Sequence, residues 1–208
     1  MRVYFQEGSA IKDIKDLKKL SATWYDIGRG ISMAQNRSPE DFKIIGAEKG
    51  SLIIEMAVYA GLATSVSTIL LAGLKVAERV IEILKKIEEL KALKLKNKKI
   101  ANDLLKEAEE EKANGIKSIL AYTIEQLGLN TEHEGDKITA LEKSITKLVE
   151  FTQKGGAVDF IQPGEDEENE EVENHNEVRK AINKLCENVQ EIRSIENKIK
   201  MIEEGKGD

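Results

Sequence analysis

Phe42-Lys43-Ile44-Ile45-Gly46-Ala47-Glu48-Lys49-Gly50-Ser51-Leu52-Ile53-Ile54-Glu55-Met56-Ala57 is the stretch that separates a mixed fold from an all-helical one. Two runs rich in β-formers flank a short loop, and Gly50 is its natural positive-φ residue. That pattern predicts a hairpin. Alternation places Leu52, Ile54 and Met56 on one side, with Ile53 and Glu55 on the other. Just upstream, Ser38-Pro39-Glu40-Asp41 reads as a single turn, with a cap, a proline at the first helical position and acids near its N-terminus. Arg2-Val3-Tyr4-Phe5-Gln6 adds a first strand that ends at Gly8. Residues 157–162, flanked by Gly and stopped by Pro163, predict a short edge strand.

Around these strands the period is helical. Ile11, Ile14, Leu17, Leu20, Trp24, Ile27, Ile31 and Ala34 step by three or four and define one apolar stripe, with Ser9 as its expected cap. Gly28 and Gly30 weaken the last third of this helix by up to about 1 kcal/mol each relative to alanine. They are either tolerated there or allow another backbone to come close. From Gly61 a wide stripe runs through Val66, Leu70, Ala77, Leu84 and Ile87, then thins out through Leu93, Ile100, Leu104 and Leu105. Asn114-Gly115 is expected to break it, with 116–127 a further helix ending at Gly128. Ile138, Leu141, Ile145, Leu148 and Val149 make another amphipathic helix, stopped by Gly155-Gly156. Ile182, Leu185, Val189 and Ile192 form a heptad-like seam on the last helix.

The resulting expectation is an α+β fold, mostly helical. It consists of a small α/β sandwich whose long helices extend into an antiparallel helical bundle or coiled coil. Four segments follow: an α/β unit at 1–90, a helical extension at 91–163, an acidic linker at 164–173 and an amphipathic helix at 174–208. Residues 165–173 hold seven acids in nine positions, which is a solvated composition.

Composition narrows the function. The 208 residues are 40% hydrophobic, 34% charged and only 4% aromatic, which suits long helices and disfavours a β-sandwich or barrel. Thirty-two basic against 38 acidic residues, a net charge of −6, argue against a general nucleic-acid binder. Lys91, Lys94, Lys96, Lys98 and Lys99 form a basic cluster, but it carries no aromatics for bases to stack on and reads as a solvated helix face. The single Cys186 excludes an intrachain disulfide and a cysteine zinc site, and no histidine is placed to activate it as a nucleophile. His133 and His175 lie in polar, acidic loops, so no metal site is expected. Phosphate-cradling glycine motifs are absent. No catalytic set and no cofactor are expected. Trp24, the only tryptophan, is read as a core anchor.

Met56–Leu74 runs 19 residues without a charge, close to the ~20 needed to cross a bilayer. Gly61, Thr64, Ser65, Ser67, Thr68 and Gly73 make it only mildly apolar, so it reads as a strand end plus the first turns of a packed helix. The N-terminus has no apolar core of a cleavable signal, and a cytoplasmic location is expected.

The Trp24 helix, the turn before Asp41-Phe42-Lys43-Ile44-Ile45, Lys49-Gly50-Ser51-Leu52-Ile53-Ile54 and the small-residue-rich helix after it carry a resemblance. Over residues 10–90 the chain resembles the effector-associated and TRADD-N-like adaptor domains of bacterial conflict systems. The resemblance implies an interaction platform without catalytic residues. The expected function is therefore a non-enzymatic adaptor or scaffold that forms a homo-oligomer and engages a second protein. Leu93, Ile100, Leu104, Ile182, Leu185, Val189 and Ile192 are the expected contact residues, since exposed apolar stripes need a partner to leave water. The alternatives are a membrane-acting effector spanning 56–74 and a small-molecule or nucleic-acid sensor.

Overall fold

The computed structural model describes residues 1–48, 52–58, 60–92, 98–160 and most positions of 180–199. The elements run β1 (Arg2–Phe5), α1 (Ile14–Ala34), β2 (Lys43–Glu48), β3 (Leu52–Ala57), α2 (Ala60–Ala92), α3 (Lys98–Leu127), α4 (Gly135–Gln153) and β4 (Ala157–Asp159). The described positions between 180 and 199 are helical as well. The fold is α+β and mostly helical, as expected. Leu93, the Lys49–Ser51 loop, the 164–173 acidic segment, Ile182, Cys186 and Val189 lie outside the described residues.

All strand pairs are antiparallel, in the order β2-β3-β1-β4. Alternation sorts the side chains of this sheet. Val3, Phe5, Met56 and Val158 are buried against the helices, whereas Arg2, Tyr4, Ile53 and Glu55 stand on the half-covered opposite face. There the Arg2 guanidinium pairs with the Glu55 carboxylate, its direct neighbour in register. The Arg2–Phe5 strand is the centre of the sheet, since it joins the β2–β3 hairpin to β4, a partner more than 150 residues away.

Helix starts and stops follow local chemistry. Ser38 caps the turn at Pro39–Asp41, its hydroxyl accepting from the Glu40 amide at 3.2 Å. Ser9 does not cap α1. The cap is Asp13, whose carboxylate accepts from the Asp16 amide at 2.8 Å, and Ser9 is instead buried, its hydroxyl donating to the Phe151 carbonyl. The early part of the α1 stripe also differs from expectation. Ile14 and Leu17 are exposed, and burial begins in earnest at Trp24 and continues through Ile27 and Ile31. Periodicity identifies the apolar face of a helix but not how far along it a neighbour reaches.

α4 lies antiparallel on α1. The Ser144 hydroxyl sits 2.8 Å from the Asp26 carbonyl and 3.0 Å from that of Ile27, and at Gly30 a Cβ would collide with Ser144 and with the Ala140 backbone. Gly30 is thus needed for close approach. The Asp26 side chain, 15% exposed, is held by the ammonium groups of Lys147 and Lys143 from α4. Burial alone would raise the Asp26 pKa, but the hydrogen bonds from Lys147 and Lys143 outweigh it and hold the carboxyl below the usual aspartate range. A lowered native pKa means this contribution is present above the unfolded pKa of about 3.9 and is lost as pH falls through the native value. Melting temperature is therefore expected to fall on acidification below pH ~4, and the fall should be shallower in Asp26→Asn.

The expected outward continuation of the long helix to residue 112, with a break at Asn114-Gly115, is not what forms. α2 ends at Ala92, and α3 runs back alongside it as one helix straight through Gly115. Arg79 pairs with Glu111 at 2.6 Å, and a Cβ on Gly115 would strike the Val76 side chain. Gly115 permits close packing rather than ending a helix. Folding back takes Ile83, Ile87 and Ala108 out of water, which an isolated extension would leave wet. One core cluster consequently draws on both sides of residue 90, from Val3 to Val158 and on to Ile192 and Ile195.

Candidate interaction surface

The candidate site is sought where apolar side chains of the described residues remain in water. Among the described residues no group of three or more His, Cys, Asp or Glu could hold a metal. His133 is exposed, and His175 lies outside the described residues. A shallow depression bounded by Lys99, Asn102, Asp103, Leu105, Lys106 and Glu109 lies along one face of α3 and does not enclose a ligand. No described helix is long and apolar enough to cross a membrane, and the mildly polar 62–77 stretch is largely packed inside the protein. The span reading of 56–74 thus divides, as its composition suggested, into the end of β3 and the start of α2.

Trp24 is buried in the core, with its ring edge-on to Phe151 at a 5.3 Å centroid distance. The expected contact residues have different fates. Ile192 is buried in this chain's own core, and Leu185 packs against that core. The last helical segment reaches this position by docking along α2 in the same direction, while the helix antiparallel to α2 is α3. Asn188, 2% exposed, donates to the hydroxyls of Ser67 and Thr68 at 2.9 and 3.0 Å, Thr64 donates to the Ala181 carbonyl, and Lys75 pairs with Glu191. Three of the small polar residues that made 61–73 look unlike a membrane span, Thr64, Ser67 and Thr68, are thus the ones that seat this segment. On α3, Leu104 is half-buried, whereas Ile100 and Leu105 stay 43% and 46% exposed.

Apart from Ile14, at the solvent-facing start of α1, the most uncovered aliphatic positions lie on a strand and not on a periodic helical stripe. Ile44 and Ile45 are 69% and 67% exposed on β2, an edge strand of the sheet. Ile44 pairs with Met56, which is only 6% exposed, so both residues point to the helix side of the sheet. The helix layer covers β3 and stops short of β2. A register shift between Ile44 and Gly46 leaves Ile45 as the extra residue of a bulge, so two consecutive isoleucines meet solvent on one short strand. The signal in the sequence is the break in alternation at Ile44-Ile45-Gly46, which is legible only once β2 is known to be an edge.

Comparison with family models, with curated proteins and with solved structures yields no match.

Proposed function

We propose that this chain is a non-enzymatic interaction protein, an adaptor or scaffold that self-associates and engages a second protein. The observation that supports it is the pair of exposed isoleucines on the β2 edge. Apolar side chains on an unpaired strand edge are what a monomer ordinarily avoids, because the edge offers both hydrogen-bonding groups and greasy surface to another chain. Leu105 on the outer face of α3 gives a second apolar position on a regular element and a place for a different partner. The contribution of the last helical segment is reassigned in this reading. Its described seam residues serve the chain's own core, so association falls to β2 and α3. A cytoplasmic setting is part of the proposal, as is a role in a bacterial or phage conflict system, which rests on the resemblance of residues 10–90 alone.

Light scattering on the full chain across a concentration series tests the reading. The expected result is an average mass that rises above the 23.2 kDa of one chain as concentration increases. A mass that stays at the single-chain value throughout contradicts self-association.

A further inference from the structure

We infer that the self-association proposed above runs through β2, with the β2 strands of two copies pairing antiparallel about a two-fold axis to form one continuous sheet. The occupant of the edge is a second copy because the strand is its own complement. Lys43-Ile44-Ile45-Gly46-Ala47-Glu48, laid antiparallel on itself over its whole length, sets Lys43 opposite Glu48 of the other copy, Ile44 opposite Ala47 and Ile45 opposite Gly46.

Facing residues in an antiparallel pair must lie on the same side of the sheet. In a regular strand, residues five apart lie on opposite sides, and this register would fail. The bulge changes that. In register Lys43 is opposite Ala57 and Glu48 opposite Ile53, positions of β3 on the open side, whereas Ile44 is opposite Met56 and Ala47 opposite Ile54, positions of β3 on the helix side. The register that overlaps the full strand is therefore also one in which the outer pairs match in face, in charge and in polarity. Two Lys–Glu pairs would flank the junction on the open side. Two Ile–Ala pairs would fill the strip on the helix side that neither helix layer reaches.

A single strand pair buries less than the roughly 1,200 Å² of a stable interface, so the dimer is expected to be weak and concentration-dependent. A bulge on an edge can also serve to hold other strands off, and the experiment separates the two roles.

Sedimentation equilibrium on the full chain would compare the wild type with Lys43→Glu, Glu48→Lys, the double reversal and Ile44→Lys, with circular dichroism to confirm that each folds. Each single reversal places like charges opposite one another at both ends and should weaken dimerisation about tenfold. The double reversal restores opposite charges and should return the constant to near the wild-type value. Ile44→Lys should leave a monomer. A double reversal no tighter than the single ones overturns the β2 register. Association that is equal in all five proteins overturns the β2 interface but leaves the self-associating reading standing. A monomeric wild type overturns both.

Discussion

Replacing Phe151 with alanine is expected to destabilise the protein by about 3–5 kcal/mol, the usual range for deleting a fully buried aromatic ring. Phe151 is 2% exposed and sits where three elements meet. Its ring is edge-on to Phe5 of β1 at 5.6 Å and to Trp24 of α1 at 5.3 Å, geometries that add to simple burial. It also fills the space beside Gly156, where a Cβ would strike the ring, and its carbonyl accepts the buried Ser9 hydroxyl. A domain of this kind has ~5–15 kcal/mol of stability, so the variant should lose a large share of it. Urea denaturation followed by fluorescence of Trp24, which touches the deleted ring, measures the effect directly.

Gly30→Ala should cost about 2–4 kcal/mol, although helix propensity alone would favour alanine by up to about 1 kcal/mol. The new methyl group would overlap the Ala140 carbonyl and come within 2.7 Å of its carbon, and backbone cannot rotate away as a side chain can. It would also displace Ser144 from the carbonyls of Asp26 and Ile27, leaving a buried hydroxyl to find another partner. α1 and α4 would have to move apart, loosening the Asp26–Lys147 contact with them. Gly135→Ala is the control, because nothing lies within 4 Å of the position. Its denaturation midpoint should remain near that of the wild type.

These two sites show what the sequence could and could not reveal. The strand runs, the capped turn at Pro39, the stops at Gly128 and Gly155 and the placing of Trp24 in the core follow from local rules. Gly128 and Gly155 do adopt positive φ, at 62° and 85°. What local rules miss is the neighbour. Gly30 and Gly115 both occur inside helical patterns, and nothing in either neighbourhood says that Ala140 and Val76 press against them. Read alone, Gly115 beside Asn114 resembles a stop; packed on α2, it is the residue that lets two helices touch. The seam containing Leu185 and Ile192 shows the same limit. A period of three and four identifies a greasy face, but whether that face meets its own chain or another depends on contacts far away in sequence, here with Ser67 and Thr68.

The candidate surface was hidden for a related reason. Ile44 and Ile45 belong to a strand pattern that is silent about which strands lie at the edge. β2 is outermost only because β1 and β4 complete the other side of the sheet, a pairing that spans most of the chain. Once that order is known, the missing alternation in Ile44-Ile45-Gly46 becomes informative.

The most direct test of the account, that the β2 edge and the outer face of α3 are contact surfaces, is amide hydrogen exchange on the full chain at a low and a high protein concentration. Exchange should slow at the higher concentration in 43–48, in the part of α3 around Leu105, or in both, with α1 and α4 unchanged. Exchange that is independent of concentration throughout the chain, or slowing confined to other segments, would contradict it.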